Sequence, residues 1–342
     1  MVVAPYPWLE GAAAQLSALT GTLPNSILLH GAAGCGGFEL ARAFAASLLC
    51  ESPLMDGAPC GECPGCKLVA AGTHPDLKII VSEYLAELYD LPYSAAENET
   101  TDKKKRSREP RIHQFRALSD FVVTSSHRGG RRIVLVYPAD MIRAEAAASL
   151  LKTLEEPTNG LHFILVADDI DGVLPTIRSR SRLLRLNRPS VAESLAWLKT
   201  QRVRDAEEKL ALSGNSPIAV AENRAGETLP AKAVSAMLNN LFKARSLSVT
   251  DILAMYSSDM TPPAVAAFLS RFSYDLLRVK AGLAPYYFIK LRDEMIDVVE
   301  LTSEEKLFAW NEKVLAMARA AEHPLAPQQV FESVMIAYIE LF

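Results

Sequence analysis

The sequence predicts an α/β domain built on a parallel sheet, followed by chain that is helical to its end. Short apolar runs at Ile27 to Leu29, Leu77 to Val81, Ile133 to Val136 and Phe163 to Val166 alternate with helical patterns, with a possible fifth run at Leu183 to Leu186. Runs of that length separated by helices belong to sheets covered on both faces. After Arg188-Pro189 no further strand is convincing. At 342 residues the chain exceeds what one core organises, so two or three domains are expected. The reading places an α/β domain at 1–187, a small helical domain at 188–225 around the Gly214-Asn-Ser-Pro217 break, and a larger helical domain at 226–342.

The N-terminal residues Met1 to Trp8 carry no basic, apolar leader, and no apolar run is long enough to span a bilayer. A cytoplasmic protein with no membrane partner is the expectation. The formal charge of −4 gives no global field to hold nucleic acid by counterion release. The first apolar run leads into Gly31-Ala-Ala-Gly-Cys-Gly-Gly-Phe38. This has the layout of a phosphate-binding loop, whose working form reads G-x-x-x-x-G-K-[ST], with the lysine on the phosphates and the hydroxyl on Mg²⁺. Gly31, Gly34 and Gly36 stand where the turn needs them, but Gly37 replaces the lysine and Phe38 the hydroxyl. Taken alone, the segment reads equally as a plain strand-to-helix turn.

Cys50, Cys60, Cys63 and Cys66 follow as C-x₉-C-x₂-C-x₂-C, with Pro59, Gly61, Pro64 and Gly65 supplying tight turns. Four thiolates so spaced suit tetrahedral Zn²⁺ with no open position, hence a structural metal; incidental or redox-active thiols are the alternative. Cys35, in the glycine loop, reads as a small filler. Ser94 to Arg111 is polar and contains Lys103-Lys-Lys-Arg106, read as a solvated insertion with weak nucleic-acid potential. The strand at Ile133 to Val136 ends in Tyr137-Pro138, where an ATPase needs acids; Asp140 comes late and is expected to cap the helix through Leu150, Leu151 and Leu154. Asp168, Asp169 and Asp171 read as turn and cap residues rather than a metal cluster. In the tail, Val265, Phe268, Phe272 and Leu276 recur at helical spacing, as do Leu307, Trp310, Val314 and Met317 behind an expected capping box of Thr302 and Glu305. Val330, Val334, Tyr338 and Leu341 form a third stripe, and all three read as a helix-bundle core.

Leu150-Leu-Lys-Thr-Leu-Glu-Glu-Pro157, the strand Phe163 to Val166, and Thr176-Ile-Arg-Ser-Arg-Ser181 closely resemble the AAA+ clamp-loader subunits of bacterial DNA polymerase III, a family that also carries a four-cysteine module after its first helix. The resemblance covers roughly residues 20 to 186. It implies a RecA-like AAA+ domain with a zinc module at 50–66, a helical lid and a C-terminal helical collar. In that family the last segment reads Ser-Arg-Cys and its arginine reaches into an adjacent subunit's ATP site, which makes Arg180 the candidate arginine finger; Ser181 departs from the pattern. Hydrolysing relatives carry hydroxyl residues where this chain has Ala167 and Asp168, and a phosphate-sensing arginine near Gly214 to Ile218 that it lacks. The resemblance thus implies a member without productive ATP binding, working with delta and gamma or tau subunits in a hetero-pentamer of the polymerase holoenzyme that loads the sliding clamp on primed DNA. From the residues alone, Arg178, Arg180, Arg182 and Arg185 also read as an exposed basic face. An autonomous zinc-containing nucleic-acid-binding protein stands as the alternative function.

Overall fold

A computed structural model describes residues 2–93, 106–128, 130–156, 158, 160–222, 229, 231–255, 260–320 and 327–342. The chain divides into two compact units, 1–193 and 194–342. The further boundary expected at 225/226 lies outside the described residues.

The first unit contains α1 (Glu10–Leu19), β1 (Ser26–His30), α2 (Gly37–Leu49), α3 (Pro64–Ala70), β2 (Leu77–Val81), α4 (Glu83–Leu88), α5 (Ile112–Arg116), α6 (Leu118–Val123), β3 (Arg132–Tyr137), α7 (Ala144–Glu155), β4 (Leu161–Ala167), α8 (Pro175–Arg178) and β5 (Arg182–Arg185). All five strands are parallel, in the order β2-β3-β4-β1-β5. Register pairs Ser26 with Phe163 and Ile27 with Arg182. On one face Leu28, Val134, Val136, Phe163 and Leu165 pack with Phe115, Leu118, Leu150, Leu154 and Ile177 from the helices. The alternate residues Ile27, Leu29, Ile133, Leu135, Ile164 and Val166 are buried as well. Burial on both faces is why these strands read as unbroken apolar runs. Only the edge strand β5 is mostly exposed, and its arginines keep it from pairing with another sheet.

Two buried charges tie loops to this frame. Asp76 accepts from Ser126 Oγ and from the backbone N–H groups of His127 and Arg128, at 2.8 to 3.0 Å. Arg132, at the start of β3, donates to the carbonyls of Phe121, Val122 and Thr124, closing the end of α6 onto the sheet.

Helix α9 (Val191–Thr200) spans the boundary between the units, and the second unit continues with α10 (Ala206–Leu212), α11 (Pro217–Glu222), α12 (Ala231–Leu241), α13 (Val249–Met255), α14 (Pro262–Lys280), α15 (Arg292–Glu300), α16 (Glu304–Ala320) and α17 (Pro327–Ile339). The three apolar stripes converge: Val265, Phe268, Phe272, Leu276, Leu307, Trp310, Val314, Met317, Val334, Tyr338 and Leu341 belong to one buried cluster, with Val330 packed against it. Trp310 Nε1 donates to the Val334 carbonyl and Tyr338 Oη to the Leu241 carbonyl, so the polar ends of both rings are satisfied inside the core. The capping box expected of Thr302 and Glu305 does not form, and a simple cap stands one residue later. Ser303 Oγ accepts from Lys306 N, whereas Thr302 Oγ1 donates to the Leu341 carbonyl and pins the C-terminal turn.

Asp275, fully buried in α14, accepts from the N–H groups of Tyr286, Tyr287 and Phe288 at 2.7 to 2.8 Å. Of these residues Phe288 is buried, whereas Tyr287 is half-buried and Tyr286 exposed, so loss of the carboxylate strands chiefly the Phe288 N–H. Asp275→Ala is expected to lower stability by about 1–3 kcal/mol, the cost of one stranded buried donor. Urea unfolding of the variant against wild type measures this directly, and an unchanged midpoint would show that the loop is held by other contacts.

Candidate functional site

The glycine loop follows β1, which lies between β4 and β5, where the strand order reverses. That crevice at the carboxyl ends of the strands is where open α/β sheets take ligands. Gly31 N donates to the Ala167 carbonyl at 3.2 Å, and Gly34 and Gly36 have φ of 74° and 91°. Gly36 is the N-cap of α2, and its left-handed conformation turns the chain from strand to helix. Gly31 and Gly37 are set by space. A Cβ on Gly31 would lie 2.8 Å from Leu186 Cβ, and one on Gly37 would lie 3.0 Å from Leu186 Cδ1 and 3.1 Å from Val166 Cγ1.

Phe38 is buried and stacks on Tyr137 with centroids 5.2 Å apart, with Tyr89 on its other neighbourhood at 4.7 Å. Tyr137 Oη donates to Asp168 at 2.9 Å and Tyr89 Oη to Glu39 at 2.9 Å. Burial first, then the Asp168 carboxylate, pushes the Tyr137 phenol well above its ordinary range, so it remains a neutral donor. Residues at the two positions where hydrolysing loops hold Mg²⁺ and activate water are thus packed against one another as aromatic rings. Cys35 is buried, its thiol pushed up to about 11 chiefly by burial, and its carbonyl accepts from Trp8 Nε1 at 2.8 Å. The thiol is therefore held protonated and poorly nucleophilic.

Asp140 does not cap a helix. Arg143 occupies the N-cap of α7, and Asp140 accepts from Asp168 N at 3.2 Å, joining the ends of β3 and β4. Burial raises its carboxyl above the usual range. Asp169 accepts from Asp171 N, a turn closure, and Asp171 lies 3.5 Å from Arg178.

Arg180 sits between α8 and β5, at the opposite end of the sheet from the glycine loop. Ser181 Oγ donates to the Ile177 carbonyl, so Ser26 Oγ donates to Ser181 Oγ at 2.8 Å, fixing this segment beside the first residue of β1. The five residues of β1 then separate Arg180 from its own loop by about 16 Å, at roughly 3.3 Å per residue. Arg180 Nη2 lies 2.5 Å from Glu155 and Nη1 donates to the Thr176 carbonyl at 3.1 Å. Glu155 and the Ser26–Ser181 pair had no signal in the sequence, since each joins positions remote along the chain.

The four cysteines converge, their sulfurs all within 4.8 Å of one another, with Cys50–Cys60, Cys50–Cys63 and Cys60–Cys66 at 3.7, 3.9 and 4.0 Å. A tetrahedron with Zn–S bonds of about 2.3 Å has edges of about 3.8 Å, so the set fits Zn²⁺. Backbone N–H groups of Cys60, Cys63 and Cys66 each point at a preceding sulfur at 3.3 Å, the pattern that supports thiolate ligands. Burial opposes ionisation of Cys63, but N–H donors from Cys66 and Glu51 and the neighbouring thiols hold it at about 6; burial and those same neighbours push Cys66 up to about 12.

Of the basic insertion, Lys103 to Lys105 lie outside the described residues. Arg106 pairs with Glu87, Arg108 lies over the Tyr84 ring at 4.8 Å, and Glu109 pairs with Arg143 at 2.5 Å. Among the described residues no helix is long and apolar enough to cross a membrane.

A parallel 2-3-4-1-5 sheet with a glycine loop at the switch point defines an AAA+ domain, to which a four-cysteine set able to hold a metal ion is appended. The family described as "DNA polymerase III, delta subunit" matches residues 12–190, more than half of the chain, and the chain belongs to it. Among its relatives, the DNA polymerase III subunit delta′ of Pseudomonas aeruginosa is 38% identical over 217 residues, covering 62% of this chain and 59% of that protein. The delta′ subunit of Escherichia coli is 30% identical over 217 residues, covering 62% and 58%. The match thus spans under three-fifths of these relatives' own length. A gamma subunit-related protein of Thermotoga maritima aligns over 96% of this chain and 99% of its own at 16% identity, with a TM-score of 0.44.

Protein purified without chelator is expected to carry about one zinc per chain, and Cys60→Ser or Cys63→Ser to lose it, read by elemental analysis. Zinc-free wild-type protein would remove the assignment.

Proposed function

We propose that this chain is a non-hydrolysing stator subunit of the bacterial DNA polymerase III clamp loader. It supplies Arg180 in trans to ATP held by a neighbouring gamma or tau subunit while the assembly, with delta, opens the sliding clamp and loads it on primed DNA. Membership of the delta′-type family supports the assembly. The observation that carries the mechanism is the position of Arg180, at the far end of β1 from its own loop. A guanidinium so placed meets only a phosphate brought by another molecule. Its fixed positive charge would then offset the negative charge spreading over the phosphoryl oxygens in the transition state, an effect worth on the order of 10³ to 10⁵ in rate in GTPases.

The chain's own loop would stay idle. It lacks the lysine that would reach the β- and γ-phosphates, and Phe38 and Tyr137 fill the ground where Mg²⁺ and its ligands would assemble. The cysteine module would hold Zn²⁺ as a structural ion, its fully thiolate shell leaving no position for substrate. An independent nucleic-acid-binding role draws no support from the insertion's arginines at 106 and 108, which are engaged within the chain.

ATP turnover is expected to be absent for the purified chain, to appear on assembly with gamma or tau and delta, and to fall by at least roughly one third in Arg180→Ala, the share of one site in three. Turnover by the chain alone, or indifference to Arg180, would overturn this reading. Gly37→Lys is expected not to confer ATP binding by equilibrium dialysis, because its Cβ meets Leu186 and Val166 and Phe38 still fills the adjoining space; tight binding by that variant would show the lysine to be the sole deficit.

A further inference from the structure

Arg180 is held from two directions. Nη1 donates to the Thr176 carbonyl and lies 3.4 Å from Ser179 Oγ, while Nη2 meets the Glu155 carboxylate at 2.5 Å. These contacts use three of the five N–H donors of a guanidinium and leave the others for a further anion. Glu155 is the last residue of α7, a helix that starts after the carboxyl end of β3 and returns along the sheet. Its final turn therefore reaches the edge where the Ser179-Arg-Ser181 segment lies.

The pair contributes little to folding. The Glu155 side chain is 51% exposed and that of Arg180 36%, and surface pairs of this kind are weak, being screened by water. What it changes is conformational freedom: an unanchored arginine must lose its rotamer entropy on meeting a phosphate, and an anchored one has already lost it. We propose that Glu155 is a positioning residue, orienting Arg180 for a phosphate presented by another molecule. This rests on the reading of Arg180 as a trans-acting finger.

Two effects of the carboxylate oppose each other. As an anion near the transferred phosphate it weakens the positive field, so removing it would speed the reaction if charge alone mattered. As an anchor it fixes geometry, and displacement of a catalytic group by about 1 Å can cost as much as 10²-fold. The sign of the response to removal decides between them, and the double anchoring of one guanidinium favours geometry.

The test is steady-state ATP turnover of the chain assembled with gamma or tau and delta, in wild type, Glu155→Ala, Glu155→Gln, Arg180→Ala and Arg180→Ala with Glu155→Ala. The Arg180-dependent part of the turnover is the difference between wild type and Arg180→Ala. Glu155→Ala is expected to reduce that part about tenfold with half-saturating ATP unchanged, as lost orientation requires. Glu155→Gln, which keeps an acceptor for Nη2, is expected to retain most of it. In the Arg180→Ala background, Glu155→Ala is expected to do nothing further, the non-additivity of residues acting as a unit. Unchanged or faster turnover in Glu155→Ala, or an equal loss with and without Arg180, would overturn the inference while leaving Arg180 in its role. Turnover indifferent to Arg180→Ala would instead remove the underlying reading and this inference with it.

Discussion

The placement of β1 between β4 and β5 is the constraint on which the rest of this molecule depends. A parallel strand has two distinct ends, and each carries one of the features that matter here. The carboxyl end runs into the glycine loop; the amino end is bonded through Ser26 to Ser181, beside Arg180. Because the central strand is buried on both faces and hydrogen-bonded on both edges, neither end can shift against the other. One domain therefore holds the glycine loop at one end of its sheet and Arg180 at the other.

The glycine loop retains its shape for a reason that has nothing to do with phosphate. Gly31 and Gly37 are closed in by Leu186 and Val166, so any side chain would have to push apart the β5 exit and β4. Once the turn is required by packing, the side chains around it are free to change. Replacing the hydroxyl residue by Phe38 adds a fully buried ring, worth about 2–3 kcal/mol in apolar transfer. Tyr137 in turn gives that ring a flat partner. The same substitutions that remove phosphate chemistry thus add core, and reverting a single residue leaves the other half of the stack in place.

The sheet was legible because its strands are buried on both faces and so stand out as apolar runs against helical periodicity. The cysteine cluster was legible because ligand spacing is a local property. Longer-range polar contacts were not. Asp140 looks like a helix cap in sequence, being an acid just ahead of a helical pattern; in space it is closer to Asp168 N, and Arg143 begins the helix without a side-chain cap. Thr302 and Glu305 match a capping box, but a hydroxyl one residue on, Ser303, serves the helix, and Thr302 is drawn off by the Leu341 carbonyl. In each case a local rule lost to a backbone group delivered by tertiary structure. Ser181, a departure from its family's pattern, likewise makes sense only beside Ser26.

The cysteine module poses a problem of stability that its sequence solves in an unusual way. From Glu51 to Gly57 every residue is exposed, including Leu54 and Met55, and only Ala58, Gly65 and Cys66 are buried between residues 51 and 66. Ordering a residue's backbone costs about 1–2 kcal/mol, and so little buried apolar surface cannot offset that over such a stretch. The ion pair of Arg128 with Glu51 is too exposed to make up the difference. Backbone donors aimed at the sulfurs suit four thiolates around a dication, whose binding would supply folding free energy in place of a core, with apparent values of about 10–16 kcal/mol in zinc-finger peptides. Cys66 lies within α3 and Cys50 ends α2, so the ion would clamp both helices rather than only the loop between them. Through α2 such a clamp would be continuous with the glycine loop at the carboxyl end of β1.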